Sequence, residues 1–195
     1  MRGRFGWLAL LASLFAGGAA QAQETTPIWW LDELRGGLYW HSVDAAGPGS
    51  NPLFGLIDAT RGVDINAELL FHPFDLGEFN WLGQFRPHVG ATINTGPLES
   101  MVYAGLSWTW HVFDSPVFIE GTFGGSVNNW DPNNTHPNAR NLGCNVLFRE
   151  SASIGVDVTE QASVMLTVEH ASHAGLCGPA NQGITNLGAR FGFRF

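Results

Sequence analysis

From about residue 30 onward, apolar and polar residues alternate with a period of two, in segments of roughly ten residues separated by turn residues. Side chains of a β-strand point alternately to its two faces, so this period predicts strands with one apolar and one polar face. The alternation predicts eight strands, at approximately 31–43, 60–72, 81–94, 100–113, 117–129, 141–157, 162–173 and 183–195. Segments of this length and pattern are typical of transmembrane β-strands.

The two faces of these strands differ in a way that favours a membrane. In the fourth segment Val102, Leu106 and Trp110 share one face, whereas Tyr103 and Ser107 share the other. A soluble lipocalin-like barrel would carry polar residues on its outer face, so the apolar face must meet lipid. The polar face then lines the lumen with charges of both signs: Glu33, Arg35, Asp64, Glu68, Arg86, Glu120, Arg149 and Arg190. The sequence therefore predicts an all-β fold, an eight-stranded antiparallel transmembrane β-barrel.

The first residues are predicted to be a secretory signal peptide. Arg2 and Arg4 precede an apolar stretch, and Ala20-Gln21-Ala22 is a small-x-small cleavage site. A retained transmembrane helix is disfavoured because the stretch is short for the roughly 20 apolar residues that a span needs. The predicted organisation is a signal peptide over 1–22 and an outer-membrane β-barrel domain over 23–195.

Composition and the last segment refine the expected location. The net charge is −8 and every basic residue is Arg, which excludes the basic surface expected of a nucleic-acid-binding protein. The final segment places Phe191, Phe193 and Phe195 on one face, and an aromatic carboxy terminus is typical of bacterial outer-membrane barrels. With the amino terminus in the periplasm, three of the four outward connections are the longer ones. We expect a membrane-embedded protein of the bacterial outer membrane.

His170 and Ser172 are the candidates for chemistry. Alternation places both on the face that carries Val164, Leu166 and Val168, which is the predicted lipid-facing side. Serine needs an adjacent base to become a nucleophile at neutral pH, and histidine is the usual base. A base and a hydroxyl on the outside of a membrane barrel suit an enzyme that cleaves a lipid ester.

The residues around this pair resemble a known family. The stretch from His170 to Leu176, followed by Asn181-Gln182-Gly183-Ile184, resembles the carboxy-terminal signature of the lipid A 3-O-deacylases, the PagL family of acyloxyacyl hydrolases. The resemblance extends to Leu142–Glu150 and to Glu33–Gly37. It implies an eight-stranded outer-membrane barrel with an exterior Ser-His-acid triad that hydrolyses the ester-linked acyl chain at the 3 position of lipid A in lipopolysaccharide.

The resemblance assigns the catalytic roles residue by residue. Ser172 takes the position of the nucleophile and His170 that of the general base. The family's acid falls on Thr185, just after Gly183-Ile184, and a threonine cannot supply the negative charge of a carboxylate. We expect Thr185 to face outward with the other two residues. Glu169 is the nearest carboxylate in sequence, but alternation places it in the lumen.

The oxyanion site departs from the family as well. An asparagine that contributes to the oxyanion hole in the family is His173 in this chain. Backbone N–H groups around Ala174 and Gly175 remain as oxyanion donors, and Asn181 matches another polar position of the signature. A catalytically impaired barrel with a structural or surface-interaction role is therefore the alternative function.

The sequence leaves the cofactors, the disulfide and the oligomeric state to be considered. No metal or organic cofactor follows from the residues, since the histidines and cysteines lack metal-site spacing. Cys144 and Cys177 are expected to meet an oxidising compartment, but sequence does not decide whether they form a disulfide. Besides lipopolysaccharide as the partner, a homodimer is left open, and so is the preferred acyl length.

Overall fold

Eight antiparallel strands pair in sequence order and close into a barrel, because the last strand also pairs with the first. The strands are β1 (Leu31–Trp40), β2 (Val63–Phe71), β3 (Gln84–Asn94), β4 (Met101–His111), β5 (Val117–Asn128), β6 (Val146–Asp157), β7 (Ala162–Ser172) and β8 (Ile184–Arg194). The predicted fold class is thereby confirmed.

The structure is a computed structural model that describes residues 30–45, 52–53, 57–58 and 61–195. The predicted signal peptide and its cleavage site lie outside these residues. Between β1 and β2, three two-residue strands form a small sheet: Asp44–Ala45, Pro52–Leu53 and Ile57–Asp58. Two 3₁₀ segments, Gly77–Leu82 and Val112–Asp114, follow β2 and β4. None of the described helices is long and apolar enough to cross a membrane.

Most strand boundaries lie within three residues of the prediction, but β6 begins at Val146 instead of residue 141. Asn141 bonds the loop before β8 instead of a neighbouring strand: its carbonyl accepts from the Gln182 N–H at 3.1 Å, and its N–H donates to Gln182 Oε1 at 2.6 Å. A disulfide joins Cys144 to Cys177 in the same region, with the two Cα atoms 6.0 Å apart. Tertiary contacts thus hold residues 141–145 as a loop.

The lumen is filled by paired charges. The guanidinium of Arg35 contacts both oxygens of Glu120, at 2.6 and 2.9 Å, and also bonds Glu33 at 2.8 Å. Arg190 bonds Glu68 at 2.9 Å, and the other lumen pairs are Arg86 with Glu33 and Arg149 with Glu169. Buried charges are tolerated only when paired, so the predicted mutual pairing explains how one face of every strand can be polar.

The outer wall is apolar, as the alternation predicts. Leu38, Phe123 and Leu166, on three different strands, expose 60%, 62% and 61% of their surface. In a soluble protein such side chains would be buried, whereas in a bilayer they contact acyl chains. The connections after β1, β3, β5 and β7 lie at one end, which we call the loop end. The connections after β2, β4 and β6 lie at the other, the turn end.

Candidate active site

His170 and Ser172 lie at the loop end of β7 and point to the outer wall. Along this strand Val168 is exposed and His170 and Ser172 are partly exposed, whereas Glu169 and Ala171 are buried. The alternation places both candidate residues among the lipid-facing side chains. Glu169 points into the lumen, where it bonds Arg149 at 2.6 Å.

His170 and Thr185 form a direct hydrogen bond. They are directly opposite each other in the pairing of β7 with β8, and His170 Nδ1 lies 2.8 Å from Thr185 Oγ1. When Nδ1–H donates to the hydroxyl oxygen, Nε2 keeps its lone pair and is available as a base. Thr185 can therefore hold the ring in the tautomer that serine activation requires, which is one of the two roles of a triad acid.

Gly183 provides the space that the imidazole occupies. A Cβ atom at this position would lie 2.9 Å from His170 Cε1 and 3.4 Å from Nε2. The backbone φ of Gly183 is also +65°, a conformation that favours glycine. The Cε1–Nε2 edge of the ring thus leans over Gly183, toward the loop end of the wall.

Ser172 lies two residues beyond His170 on the same face, but the two side chains are not hydrogen-bonded. Within the described residues, the Ser172 hydroxyl makes no hydrogen bond to the ring. Catalytic hydrogen bonds are often long or misaligned before substrate binds. Residues two apart on one strand face are about 7 Å apart at Cα, so side-chain rotation suffices to bring Oγ to Nε2.

His173, which replaces the family's oxyanion-hole asparagine, is bound by the backbone of its own loop. Its side chain is 1% exposed. The ring accepts a hydrogen bond at Nδ1 from the Cys177 N–H, at 3.2 Å, and Nε2 lies 2.7 Å from the Ala180 carbonyl oxygen. Both ring nitrogens are occupied by loop backbone, so this ring holds the 173–183 loop together and is not free to bind an oxyanion.

The backbone after Ser172 remains as a candidate for that role. Ala174 and Gly175 are exposed and have φ values of +52° and +84°. Within the described residues, neither N–H group donates a hydrogen bond. The Asn181 side chain, by contrast, accepts a long bond from the His173 N–H at 3.4 Å. The oxyanion donors suggested by this geometry are backbone groups, with Asn181 supporting the loop.

The disulfide ties this loop to the connection between β5 and β6. Cys177 lies four residues after His173, and Cys144 lies two residues before β6 begins. The same two loops are joined by the hydrogen bonds between Asn141 and Gln182. The chain segment that carries Ala174 and Gly175 is therefore anchored covalently to a neighbouring loop.

Sequence reasoning missed Glu150. It is exposed on the outer face of β6, between Phe148 and Ala152, and lies directly opposite His170 in the pairing of β6 with β7. Counting outward from the buried Arg149 would have placed Glu150 on the lipid side. Its position opposite His170 depends on the register between strands, which alternation within one strand does not give.

Taken together, the polar residues of the outer wall form one group. On the outward positions of β2 to β8, the polar side chains are Glu150, His170, Ser172 and Thr185, and the remainder are apolar, aromatic, glycine or proline. We call these four residues the outer-wall patch. They lie on three adjacent strands, β6, β7 and β8.

Two histidines at the ends of the barrel contact carboxylates. His41 Nδ1 contacts the two oxygens of Asp64 at 3.0 and 2.9 Å, and His111 Nε2 lies 2.8 Å from Asp157. Across the described part of the chain, no three His, Cys, Asp or Glu side chains are grouped so that they could hold a metal ion. These contacts stabilise the ends of the barrel.

The closed barrel with an apolar outer wall is a β-barrel of the outer-membrane type. A model of the lipid A 3-O-deacylase (PagL) family matches residues 73–194, which is more than half of the chain and includes the whole outer-wall patch. The chain belongs to this family, and it is a protein of the outer membrane. No curated protein matches the chain significantly.

Several solved structures are similar to this chain. The crystal structure of the outer membrane enzyme PagL is similar with a TM-score of 0.58 and 16% identity, covering 84% of this chain and 99% of that one. Neisserial surface protein A matches with a TM-score of 0.46 and 10% identity, covering 84% and 97%. The Yersinia pestis protein Ail, in nanodiscs, gives 0.45 and 11%, covering 85% and 99%. At 16% identity, the likeness to the PagL structure shows the barrel fold alone.

Proposed function

We propose that this chain hydrolyses the ester-linked acyl chain at the 3 position of lipid A, with Ser172 as nucleophile and His170 as general base. The observation that carries the proposal is the outer-wall patch. A hydroxyl and an imidazole stand together in this small polar group on an apolar, lipid-facing wall, in a chain of the lipid A 3-O-deacylase family. Polar groups facing lipid are costly, and they are retained where chemistry needs them.

In the first half of the reaction, Ser172 Oγ attacks the ester carbonyl carbon while His170 Nε2 takes the hydroxyl proton. The carbonyl oxygen becomes an oxyanion, and the N–H groups of Ala174 and Gly175 stabilise it. The tetrahedral intermediate then breaks its bond to the sugar oxygen. This oxygen leaves as the free hydroxyl after it receives the proton from His170, and the acyl group stays on Ser172.

In the second half, water attacks the acyl-enzyme. His170 takes a proton from the water, the second tetrahedral intermediate collapses, and Ser172 Oγ recovers the proton as the fatty acid leaves. The sum is one ester and one water converted into one alcohol and one carboxylic acid. Throughout both halves, the bond from Nδ1 to Thr185 keeps the ring oriented.

The acyl chain has an apolar path beside these residues. Below the outer-wall patch, the wall forms a shallow groove of about 330 Å³. Its apolar lining is Ala152, Ile154, Leu166, Val168 and Leu187. These residues continue the outward rows of Glu150, His170 and Thr185 toward the turn end. A chain bound at the patch can therefore stay within the hydrocarbon region during hydrolysis.

The test uses the refolded barrel with lipopolysaccharide in mixed micelles, with mass spectrometry to detect the loss of one acyl chain. We expect Ser172→Ala to lower the rate by at least about 10⁴-fold, as for other activated serines. The matched control is Ser163→Ala on the same strand, because the Ser163 hydroxyl faces the lumen without a hydrogen-bond partner among the described residues. The control should retain the wild-type rate.

A non-catalytic barrel is the second candidate, and two observations favour it. The ring of His173 is bound to its own loop, and the family's acid position holds the uncharged Thr185. Lipopolysaccharide that keeps all its acyl chains over a wide pH range, with a folded wild-type barrel, would select this alternative. Loss of the 3-linked chain that depends on Ser172 would exclude it.

A further inference from the structure

The candidate triad lacks a negative charge at the position that the family uses, but the register of the barrel brings one to the other side of His170. On β8 the residue opposite His170 is Thr185, and on β6 it is Glu150. Directly opposite residues of antiparallel strands share a face, with Cβ atoms about 4.5–5.5 Å apart. His170 therefore lies between a hydroxyl and a carboxylate on the outer wall.

A carboxylate on a lipid-facing strand needs an explanation. The outward row of β6 is otherwise apolar, from Val146 through Phe148 and Ala152 to Ile154. Placing an ionised group among acyl chains is unfavourable, more so the deeper it lies, so the position should be apolar if it served only the barrel. Glu150 stands at the one place on β6 that faces the imidazole.

The other neighbours of Glu150 give it no partner. On the β5 side the opposite residue is Phe123, whose ring stacks with Phe148 at a centroid distance of 6.0 Å. Arg149, the nearest cation in sequence, points into the lumen and bonds Glu169. Across the outer faces of the neighbouring strands, His170 is therefore the group that can carry a compensating positive charge.

We propose that the role of the triad acid is divided between two residues: Thr185 orients the imidazole, and Glu150 supplies the negative charge that stabilises it once it is protonated. This inference rests on the proposed function of Ser172 and His170. Glu150 acts through His170 and is a positioning residue. When His170 takes the Ser172 proton, it becomes an imidazolium beside an ionised carboxylate, and Glu150 itself neither gains nor loses a proton.

Other carboxylates are placed where they cannot take this role. Glu169 lies in the lumen with Arg149 and Asn186. Asp157 is at the turn end of β6, where it bonds His111 and Arg194. Among the described residues, Glu150 is the carboxylate that shares the outer wall with His170.

The test compares Glu150→Gln, which keeps the shape and removes the charge, with Glu150→Asp, which keeps the charge. We expect Glu150→Gln to lower kcat on lipopolysaccharide by about 10- to 100-fold with KM changed less than twofold, because the charge acts on the transition state. Glu150→Asp should recover most of the rate. The control is Glu160→Gln, which removes one exposed carboxylate at the turn end and should behave as wild type.

Rescue separates charge from structure. Adding Thr185→Glu to Glu150→Gln restores a carboxylate on the other side of the ring. The double variant should therefore hydrolyse lipopolysaccharide at least about tenfold faster than Glu150→Gln alone. In the wild-type background, Thr185→Glu should raise the hydrolysis rate less than threefold, because Glu150 already supplies the charge. A purely structural role of Glu150 would give no such dependence on background.

A second readout does not need lipopolysaccharide. A fluorophosphonate labels an activated serine, so its labelling of Ser172 should slow in Glu150→Gln and recover with Glu150→Asp. If lipopolysaccharide stays intact while this labelling follows the charge at 150, the substrate assignment fails and the divided acid stands. The inference is overturned if wild-type Ser172 is not labelled, or if Glu150→Gln matches Glu160→Gln in both readouts.

Discussion

The lumen and the outer wall differ in whether their charged side chains have hydrogen-bond partners. In the lumen, Arg35 holds Glu120 and Glu33, and Arg190 holds Glu68, so each of these charges has a partner at hydrogen-bond distance. On the outer wall, Glu150 lies between two phenylalanines and an imidazole, with no hydrogen bond among the described residues. The paired charges of the lumen are explained by the requirements of folding, whereas the carboxylate of Glu150 on the outer wall is not.

The difference separates structural from functional polarity within a single sheet. A charged residue that faces inward pairs with another inward residue, so its removal should damage stability. A polar residue on the outer-wall patch satisfies nothing that the barrel needs, so its removal should damage chemistry and leave the fold intact. Four changes test this contrast, in order of decreasing expected effect on stability.

The largest effect is expected from Glu120→Ala in the lumen. Glu120 accepts two bonds from Arg35 and one from Thr109, at 2.6, 2.9 and 2.8 Å. Removing Glu120 takes one carboxylate partner from the buried guanidinium of Arg35, which should lower the free energy of unfolding by about 3–5 kcal/mol. Urea unfolding from lipid vesicles measures this loss, with Glu160→Ala as control. Wild-type stability in Glu120→Ala would show that the lumen pairs do not hold the barrel.

Opening the disulfide should affect the loop end more than the barrel. The double variant Cys144→Ser, Cys177→Ser loses a disulfide between residues 33 positions apart in sequence. A disulfide of this kind typically adds about 2–4 kcal/mol to the free energy of unfolding. We expect faster proteolysis between β7 and β8 and a lower hydrolysis rate, with strands that still resist heat in gel-shift assays. Loss of heat resistance would mean that the loops stabilise the sheet as well.

The third change concerns pH at the mouth of the lumen. Burial alone would lower the pKa of His41, but its bonds to Asp64 and contact with Glu99 outweigh this and raise the pKa above its usual range. The stabilisation is complete below the unfolded pKa of about 6.5 and is lost as pH rises through the folded pKa. As pH rises above about 6.5, we expect the unfolding free energy to fall, because the ring loses the proton that its bonds to the carboxylates stabilise. In His41→Asn this pH-dependent loss should be absent.

The smallest effect on stability is expected from Glu150→Leu. Replacing a carboxylate on the lipid-facing wall by an apolar side chain should leave the unfolding free energy unchanged or raise it by up to about 1 kcal/mol. Hydrolysis should fall at the same time, because the charge beside His170 is gone. A loss of more than about 1 kcal/mol would show that Glu150 supports the barrel and would remove the contrast between the two regions.

The fold could be predicted because alternation reports which face of a strand meets lipid. The outward direction of His170 and Ser172, and the inward direction of Glu169, follow from that rule and agree with the structure. The contact between His170 and Thr185 was expected only from family resemblance. Its geometry depends on how β8 pairs with β7, which is a tertiary property.

Two features could not be read from the sequence. The start of β6 was placed too early because Asn141 and Cys144 continue a plausible strand pattern, whereas bonds to another loop hold them outside the sheet. The contacts of the His173 ring could not be inferred either, because the loop that bends back after Ser172 offers the ring a carbonyl and an N–H to bind. Both depend on loop-to-loop contacts distant in sequence.

The outer-wall patch also determines how a reactant arrives. Its residues open onto the side of the cylinder, so in the proposed reaction a lipid would reach His170 and Ser172 by lateral diffusion within one leaflet and not through the aqueous phase. Encounter frequency then scales with the mole fraction of the lipid in the bilayer or micelle. Added neutral detergent should slow the reaction by two-dimensional dilution, even when the total amounts of protein and lipid are constant.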